Sequence, residues 1–185
     1  MRKVITAILL ITLLCGCQDE NAIAPAMQLR NSILNADGCR FVADITADYG
    51  EMIYTFSLEC ISDSRGNIEF VVTEPKSIEG ITGRINAEGG ALTFDNEILA
   101  FPVLANGYIT PVSVPWLLVR TIRGGYIRAG GQDNKHYKVQ MDDSYEEDPL
   151  TIDLWLDNRN LPVCCEFLWN NRRILTAEIK SFTYM

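Results

Sequence analysis

The sequence predicts a mainly β fold, in which a large curved antiparallel sheet is covered by an N-terminal helix and a mid-chain helix. Three observations predict it. Apolar and polar residues alternate along most of the chain after residue 38. Gly and Pro occur at the junctions between the alternating stretches. Two stretches, residues 22–35 and 113–123, have helical spacing instead, and a sheet with one apolar face needs such helices to cover it.

The first sixteen residues have the features of an export signal. Two basic residues precede an apolar run over residues 4–14, which is too short to span a bilayer. The run ends in Leu-Cys-Gly-Cys at residues 14–17, which resembles the bacterial lipobox, and this resemblance implies cleavage before Cys17 and acylation of its thiol. An uncleaved membrane-anchor helix or a buried core helix is the alternative, but neither explains a small residue followed by Cys.

The predicted mature chain is held by lipid on the extracytoplasmic face of the cell membrane. Two or more acyl chains hold a protein stably, whereas one does not. Residues 17–25 are predicted to be a lipidated tether, and residues 26–185 a single domain with enough apolar content for a core. Cleavage removes two basic residues and no acidic ones, so the net charge of −8 becomes −10. Such a charge is repelled by phosphate backbones, and we expect no nucleic-acid partner.

The elements are predicted from periodicity and from their boundary residues. The first helix covers residues 22–35. The second begins at Ser113-Val114-Pro115 and runs through Arg123, with Pro in its first turn and Gly124-Gly125 after its end. Strands are predicted over residues 40–48, 51–61, 67–73, 78–85, 91–94, 98–103, 126–129, 135–141, 150–157, 163–169 and 173–184.

The sequence of the first two strands and of the turn between them predicts how the two strands pair. A two-residue turn at Tyr49-Gly50 pairs positions whose numbers sum to 99, which makes one face apolar and the other largely polar. Cys39 is then directly opposite Cys60 at a non-hydrogen-bonded site, where Cα atoms about 4.5 Å apart permit a disulfide. The alternative is a pair of buried, reduced thiols. Adjacent Cys164 and Cys165 point to opposite faces of their strand, and we expect both to stay reduced.

The chain also resembles a known family. The order of elements, residues 75–81 (Pro-Lys-Ser-Ile-Glu-Gly-Ile), residues 92–95 (Leu-Thr-Phe-Asp) and the ending over residues 161–184 resemble LolA/LolB-type lipoprotein carriers. Among these it is most similar to the lipid-anchored clostridial members of the germination-lipoprotein (GerS) type. The resemblance covers nearly the whole mature chain and implies a LolA-like open half-barrel. It also implies either acyl chains on the concave side, as in the carriers, or a partner hydrolase, as for the germination lipoprotein.

Six apolar or aromatic residues could line a cavity of that kind. They are Phe41, Tyr54, Phe56, Leu58, Trp116 and Leu117. The alternative is that the same residues fill a closed core, because small sheets are normally filled by their own side chains. The sequence does not separate a hydrophobic cavity from a hydrophobic core.

The chain offers few residues for catalysis. His136 is the single histidine, and alternation predicts that it faces solvent from its strand. Zinc spacings, a nucleophile elbow and a phosphate loop are missing. The acidic run at residues 142–148 could bind calcium, but without spaced ligands and a central Gly it favours a solvated connection. The sequence does not exclude a pair of carboxylates for glycoside hydrolysis, because Asp and Glu are abundant, but no pair stands out. We expect no catalytic residue, no metal and no cofactor.

Three functions are compatible with these features. The first is a non-enzymatic, membrane-anchored lipoprotein that binds a protein partner in the cell envelope. The second is a carrier or receptor that holds a lipid, or the acyl chains of a lipoprotein, in a hydrophobic cavity. The third is an unrecognised envelope enzyme. We rank them in this order, because a permanent anchor weakens the role of a shuttle.

Overall fold

A computed structural model describes residues 20–50, 52–94, 97–101, 104–105 and 108–185. Cys17 lies outside the described residues, and so does the export signal, so the predicted acylation stays a prediction. Within these ranges no helix is both long and apolar enough to cross a bilayer.

In the described residues the helical layer contains two α-helices, each preceded by one 3-10 turn. These are a turn at Glu20–Ile23, α1 over Ala24–Asn35, a turn at Pro111–Ser113 and α2 over Val114–Gly124. Both predicted helices are confirmed to within two residues at each end. Residues 20–23 form the 3-10 turn, and Pro25 is favoured in the first turn of α1.

Thirteen strands lie in the described ranges. They are β1 Gly38–Asp48, β2 Ile53–Asp63, β3 Ile68–Glu74, β4 Thr82–Asn86, β5 Gly89–Phe94, β6 Glu97–Phe101, β7 Leu104–Ala105, β8 Tyr108–Ile109, β9 Tyr126–Asp133, β10 His136–Asp142, β11 Thr151–Leu156, β12 Pro162–Trp169 and β13 Arg172–Tyr184. Eleven form one antiparallel sheet in the order β6-β5-β4-β3-β2-β1-β13-β12-β11-β10-β9, and β7 pairs with β8. The predicted fold class is confirmed, and β1 joins the two halves of the sheet.

The register of the first hairpin differs from the prediction by two residues. β1 pairs with β2 so that Cys39 is opposite Ser62 and Cys60 is opposite Phe41. The connection is two residues longer than predicted, and the Tyr49 N–H donates to the Met52 carbonyl at 3.0 Å to close it. Because side chains alternate with period two, a shift of two residues keeps every side chain on its predicted face.

Cys39 and Cys60 are free and buried. The predicted disulfide required them to be directly opposite, so its geometric basis is wrong. Burial raises the pKa of Cys39 to about 12. Burial, with the neighbouring Cys39 and Glu59, also raises the pKa of Cys60 above its ordinary value. Protonated thiols in such surroundings behave as small apolar core residues. Cys164 and Cys165 are also free.

The two helices are tied together by Arg30. Its Nε donates to the Ile122 carbonyl at 2.7 Å, and its Nη2 donates to the Gly125 carbonyl at 2.5 Å. The last carbonyls of a helix have no partner inside the helix. Arg30 of α1 therefore caps the C-terminal end of α2.

Candidate partner-binding face

The face of the sheet that meets the helices, here called the inner face, is filled. Five of the six residues predicted to line a cavity are buried in one continuous hydrophobic core, namely Phe41, Phe56, Leu58, Trp116 and Leu117. The sixth, Tyr54, is exposed near the start of β2. The reason is α2, which lies inside the curve of the sheet and buries every residue from Val114 to Ile122 except Arg120. Five of the six predicted residues therefore belong to the hydrophobic core in the described part of the chain.

A groove of about 510 Å³ lies on the opposite, outer face, along β1–β6. The groove is lined by side chains that alternate away from the core. In β3, for example, Phe70 points inward while Glu69 and Val71 point outward. The twist of a sheet with several strands curves such a surface. Ile61, Val71 and Ile98 border the groove, and all three are exposed. The outer face therefore carries an apolar groove that is open to solvent.

Gly83 of β4 fixes the shape of this region. The aromatic ring of Phe70 lies directly over Gly83 on the inner face, and a Cβ at residue 83 would collide with it. A Gly inside a strand often marks such a close approach. The contact holds β4 against β3, and with it the outward position of Arg84, which pairs with Glu69 across the strands.

The charges around the groove balance each other. Arg84 Nη2 lies 2.9 Å from Glu69 Oε1, and both side chains are largely exposed. Arg40 and Glu59 add one further charge of each sign. An exposed pair of this kind contributes only about 0–1 kcal/mol to folding. The surface is therefore an apolar strip with a polar, neutral rim, which is the anatomy of many protein interfaces.

β6 forms one end of the sheet. Among the described strands, only β5 pairs with it. Phe94 pairs with Glu97 across a two-residue connection, so the backbone N–H and C=O groups of Ile98 and Ala100 point away from β5. Ile98 is 73% exposed on the outer face and Leu99 is 66% exposed on the inner face. An edge without Lys, Pro or a bulge is open to an added strand.

His136 lies beside a second outer-face groove of about 370 Å³, together with Trp155 and Cys164. Burial, with the carboxylates of Glu166 and Glu178, raises the pKa of Cys164 to about 11. A protonated thiol is a poor nucleophile and a poor metal ligand. Across the described part of the chain, no three His, Cys, Asp or Glu side chains are grouped to hold a metal.

The acidic run at residues 142–148 begins with structural contacts. Asp142 is buried, and its carboxylate accepts from Arg128 Nε at 2.6 Å and from Thr151 Oγ1 at 3.0 Å. Asp143 accepts the Leu150 N–H at 2.9 Å. Residues 145–148 are exposed. The run is therefore a solvated connection. Asp142 and Asp143 at its start hold it to Leu150 and Thr151 just after its end.

Sequence reasoning did not find the outer-face groove. Its signal was present, since Ile61, Val71 and Ile98 stand at positions that alternation turns away from the core. Apolar residues at positions expected to be polar are informative when they cluster on one surface. Their clustering depends on the pairing of β2 through β6, which the sequence alone did not provide.

No protein-family model matches the chain, and no curated protein matches its sequence. Among solved structures it is similar to one described as an outer membrane lipoprotein-sorting protein domain from Vibrio parahaemolyticus. The TM-score is 0.50 at 8% identity, over 90% of this chain and 93% of that one. The chain shares the fold of that lipoprotein-sorting domain.

Two further structures are similar at lower scores. One is a LolA superfamily protein from Nitrosomonas europaea, with a TM-score of 0.46, 10% identity, and coverage of 86% of this chain and 93% of that one. The other is the lipoprotein LppX from Mycobacterium tuberculosis, with a TM-score of 0.45, 10% identity, and coverage of 89% and 96%. The fold class expected from the sequence, a large curved antiparallel sheet with two helices, is confirmed. The closer similarity to germination lipoproteins stays a prediction.

Proposed function

We propose that the protein is a non-enzymatic envelope lipoprotein that binds an extended segment of a partner protein along β6 and the outer-face groove. The observation that carries this proposal is the open edge at β6, which lies beside the apolar groove. Ile98 is exposed there on the outer face and Leu99 on the inner face. The resemblance to germination lipoproteins supports a protein partner. The export signal and the lipobox-like ending support acylation at Cys17, which would hold the domain outside the cell membrane.

An extended peptide fits this edge better than a lipid does. The outward N–H and C=O groups of Ile98 and Ala100 are satisfied together by another strand backbone, which forms a ladder with them. The added strand would place alternate side chains beside Ile98 on the outer face and beside Leu99 on the inner face. Because the groove has no net charge, we expect apolar residues at alternate positions of the partner segment.

Site-specific photocrosslinking in the native host tests the binding site. A benzoylphenylalanine at position 98 is compared with one at position 34, where Leu34 is an exposed apolar residue of α1. We expect one discrete protein adduct from position 98 and none from position 34. Ala100→Pro removes one outward N–H and leaves the bonds between β5 and β6, so it should reduce the adduct several-fold.

Equal adducts at both positions, or an adduct that Ala100→Pro leaves unchanged, would contradict binding along β6. A lipid adduct at position 98 in place of a protein adduct would contradict the class of partner.

Acylation is tested separately by Cys17→Ala with Cys15→Ala as the matched control. We expect Cys17→Ala to abolish fatty-acid labelling and detergent partitioning, while Cys15→Ala retains both. Label that persists in Cys17→Ala, or that depends on Cys15, would reject the anchor.

A lipid or lipoprotein carrier is the second candidate function, and one observation favours it. The hydroxyls of Ser113 and Thr121 are buried without a hydrogen-bond partner in the described part of the chain. Each such group costs about 1–3 kcal/mol, so the packing of α2 inside the sheet is weaker than its apolar surface suggests. If α2 leaves, the inner face becomes an acyl-chain cavity. Native mass spectrometry of the chain purified from its host, with a co-purifying lipid mass, would support this alternative.

A further inference from the structure

The first described turn of the chain is fixed to one edge of the sheet. The Tyr137 hydroxyl donates to the Ala22 carbonyl. A Cβ at Gly130 of β9 would collide with the same carbonyl oxygen, so the absence of a side chain at residue 130 permits the approach. Asn160 Nδ2 also donates to Gln28 Oε1 at 2.8 Å, which ties α1 to the turn between β11 and β12. The start of the domain therefore has a defined place.

The acylated residue cannot lie far from this place. Three peptide units separate Cys17 from Glu20, and each spans at most 3.8 Å between Cα atoms, so the two Cα atoms are at most about 11 Å apart. This bound holds for any conformation of residues 18 and 19. A lipid on Cys17 would therefore bring the N-terminal end of α1 close to the lipid headgroups.

The exposed face of α1 has the chemistry of a surface that meets a bilayer. From residue 21 to residue 36 the single charged side chain is Arg30, and it is turned toward the carbonyls of α2. The exposed residues of the helix are Ala24, Met27, Gln28, Asn31, Leu34 and Asn35. In a mature chain with a net charge of −10, the helix beside the anchor thus presents no acidic side chain to anionic headgroups.

These residues form one continuous strip. Met27, Asn31 and Leu34 have the spacing of one helical face, and twelve residues of helix span about 18 Å. Met27 and Leu34 are exposed apolar side chains at the two ends of the strip. The neighbouring turn between β9 and β10 carries Asp133 and Lys135 instead and has no such neutral surface.

We propose that the exposed face of α1 is the membrane-facing surface of the domain and lies along the headgroup region of the bilayer. The opposite ends of the strands, with the turn between β1 and β2, then point away from the membrane. β1 alone extends about 33 Å from Gly38, next to α1, to Asp48. This inference rests on the acylation of Cys17 in the proposed function.

The test uses the lipid-anchored full chain in vesicles of phosphatidylcholine and phosphatidylglycerol. Met27→Cys and Met52→Cys form a matched pair, because Met27 is 39% and Met52 is 57% exposed and they lie at opposite ends of the domain. Cys164→Ser is included in both, since the other described cysteines are buried. Each introduced thiol carries a nitrobenzoxadiazole dye, and the quencher is a lipid with a nitroxide on its headgroup.

We expect quenching to be at least about three-fold stronger at residue 27 than at residue 52. A second pair, Leu34→Cys and Ile53→Cys, should behave in the same way. If the protein floats with the vesicles but the two ends are quenched equally, the orientation is wrong while the anchor stands. If the protein does not float and carries no lipid, the anchor itself is rejected, and the orientation with it.

Discussion

The two faces of β2 and β3 carry similar residues with opposite roles. On the inner face, Leu58 and Phe70 are buried in the hydrophobic core. On the outer face, Ile61 and Val71 are equally apolar but exposed, and they border the groove. The same pair of strands thus stabilises the fold on one side and, in the proposed function, presents a surface for a partner on the other. Substitutions on the two faces should therefore separate stability from binding.

The largest expected difference is between Phe41→Ala and Val71→Ala. Phe41 is fully buried in the core, and truncation of a buried Phe typically costs about 3–5 kcal/mol. Val71 is exposed, and its truncation should cost less than about 1 kcal/mol. Urea unfolding of the mature chain without its lipid measures both. Similar losses for the two variants would show that the outer face belongs to the core.

Gly83→Ala tests whether the ring of Phe70 fixes β4. The added methyl group meets a buried ring, and overpacking of this kind costs about 1–3 kcal/mol. Gly131→Ala in β9 is the control, because nothing lies within 4 Å of a Cβ built there. Thermal unfolding should show a lower Tm for Gly83→Ala alone. An unchanged Tm for both variants would mean that the ring moves aside freely.

Thr121→Val tests whether α2 is held less firmly than its apolar surface suggests. Removing a buried hydroxyl that has no partner should stabilise the protein by about 1 kcal/mol. Thr151→Val is the opposite control, because the Thr151 hydroxyl donates to Asp142 Oδ1 at 3.0 Å and its loss should destabilise by a similar amount. Destabilisation by Thr121→Val would indicate that this hydroxyl contributes to the packing of α2.

The smallest effect concerns Asp157 and pH. Partial burial acts to raise the pKa of Asp157, but hydrogen bonds from the backbone N–H groups of Leu161 and Arg159 and from the Arg159 side chain outweigh it, and the pKa is lowered. The ionised Asp157 carboxylate therefore stabilises the folded state at pH values above the pKa of Asp in the unfolded chain, near 3.9. This stabilisation is lost as the pH falls through the lower pKa of Asp157 in the folded state.

Asp157→Asn should therefore cost about 1 kcal/mol at pH 7 and clearly less near pH 2, where more of the Asp157 carboxyl is protonated. The exposed Asp148, changed to Asn, is the control and should show no such trend. A loss for Asp157→Asn that is equal at both pH values would reject the ionic contribution.

Much of the fold could be predicted from alternation and boundary residues. Both helices, most strands and the inward face of the first hairpin follow from local patterns, because period 2 and period 3.6 are properties of short segments. The register of β1 against β2 did not follow, because it depends on the length of a single turn. A turn two residues longer moved Cys39 from Cys60 to Ser62 without changing the pattern of faces.

The candidate site was harder to predict for the same reason. Ile61, Val71 and Ile98 are far apart in sequence and meet only through the order of β2 to β6. Whether the apolar inner face is open or filled depends on where α2 lies, and helix position is set by packing between distant segments. The sequence predicted α2 and its place over the sheet, but not that its side chains and those of the sheet bury one another so completely.

Hydrogen exchange with and without the captured partner tests most directly whether the outer edge, rather than the inner face, binds. In the free mature chain, the amides of Ile98 and Ala100 should exchange rapidly, since they point away from β5. In the complex we predict that both become protected by at least about ten-fold while the amides of α2 stay unchanged. Unprotected β6 amides, together with faster exchange throughout α2, would contradict this account and would indicate that the ligand enters the inner face.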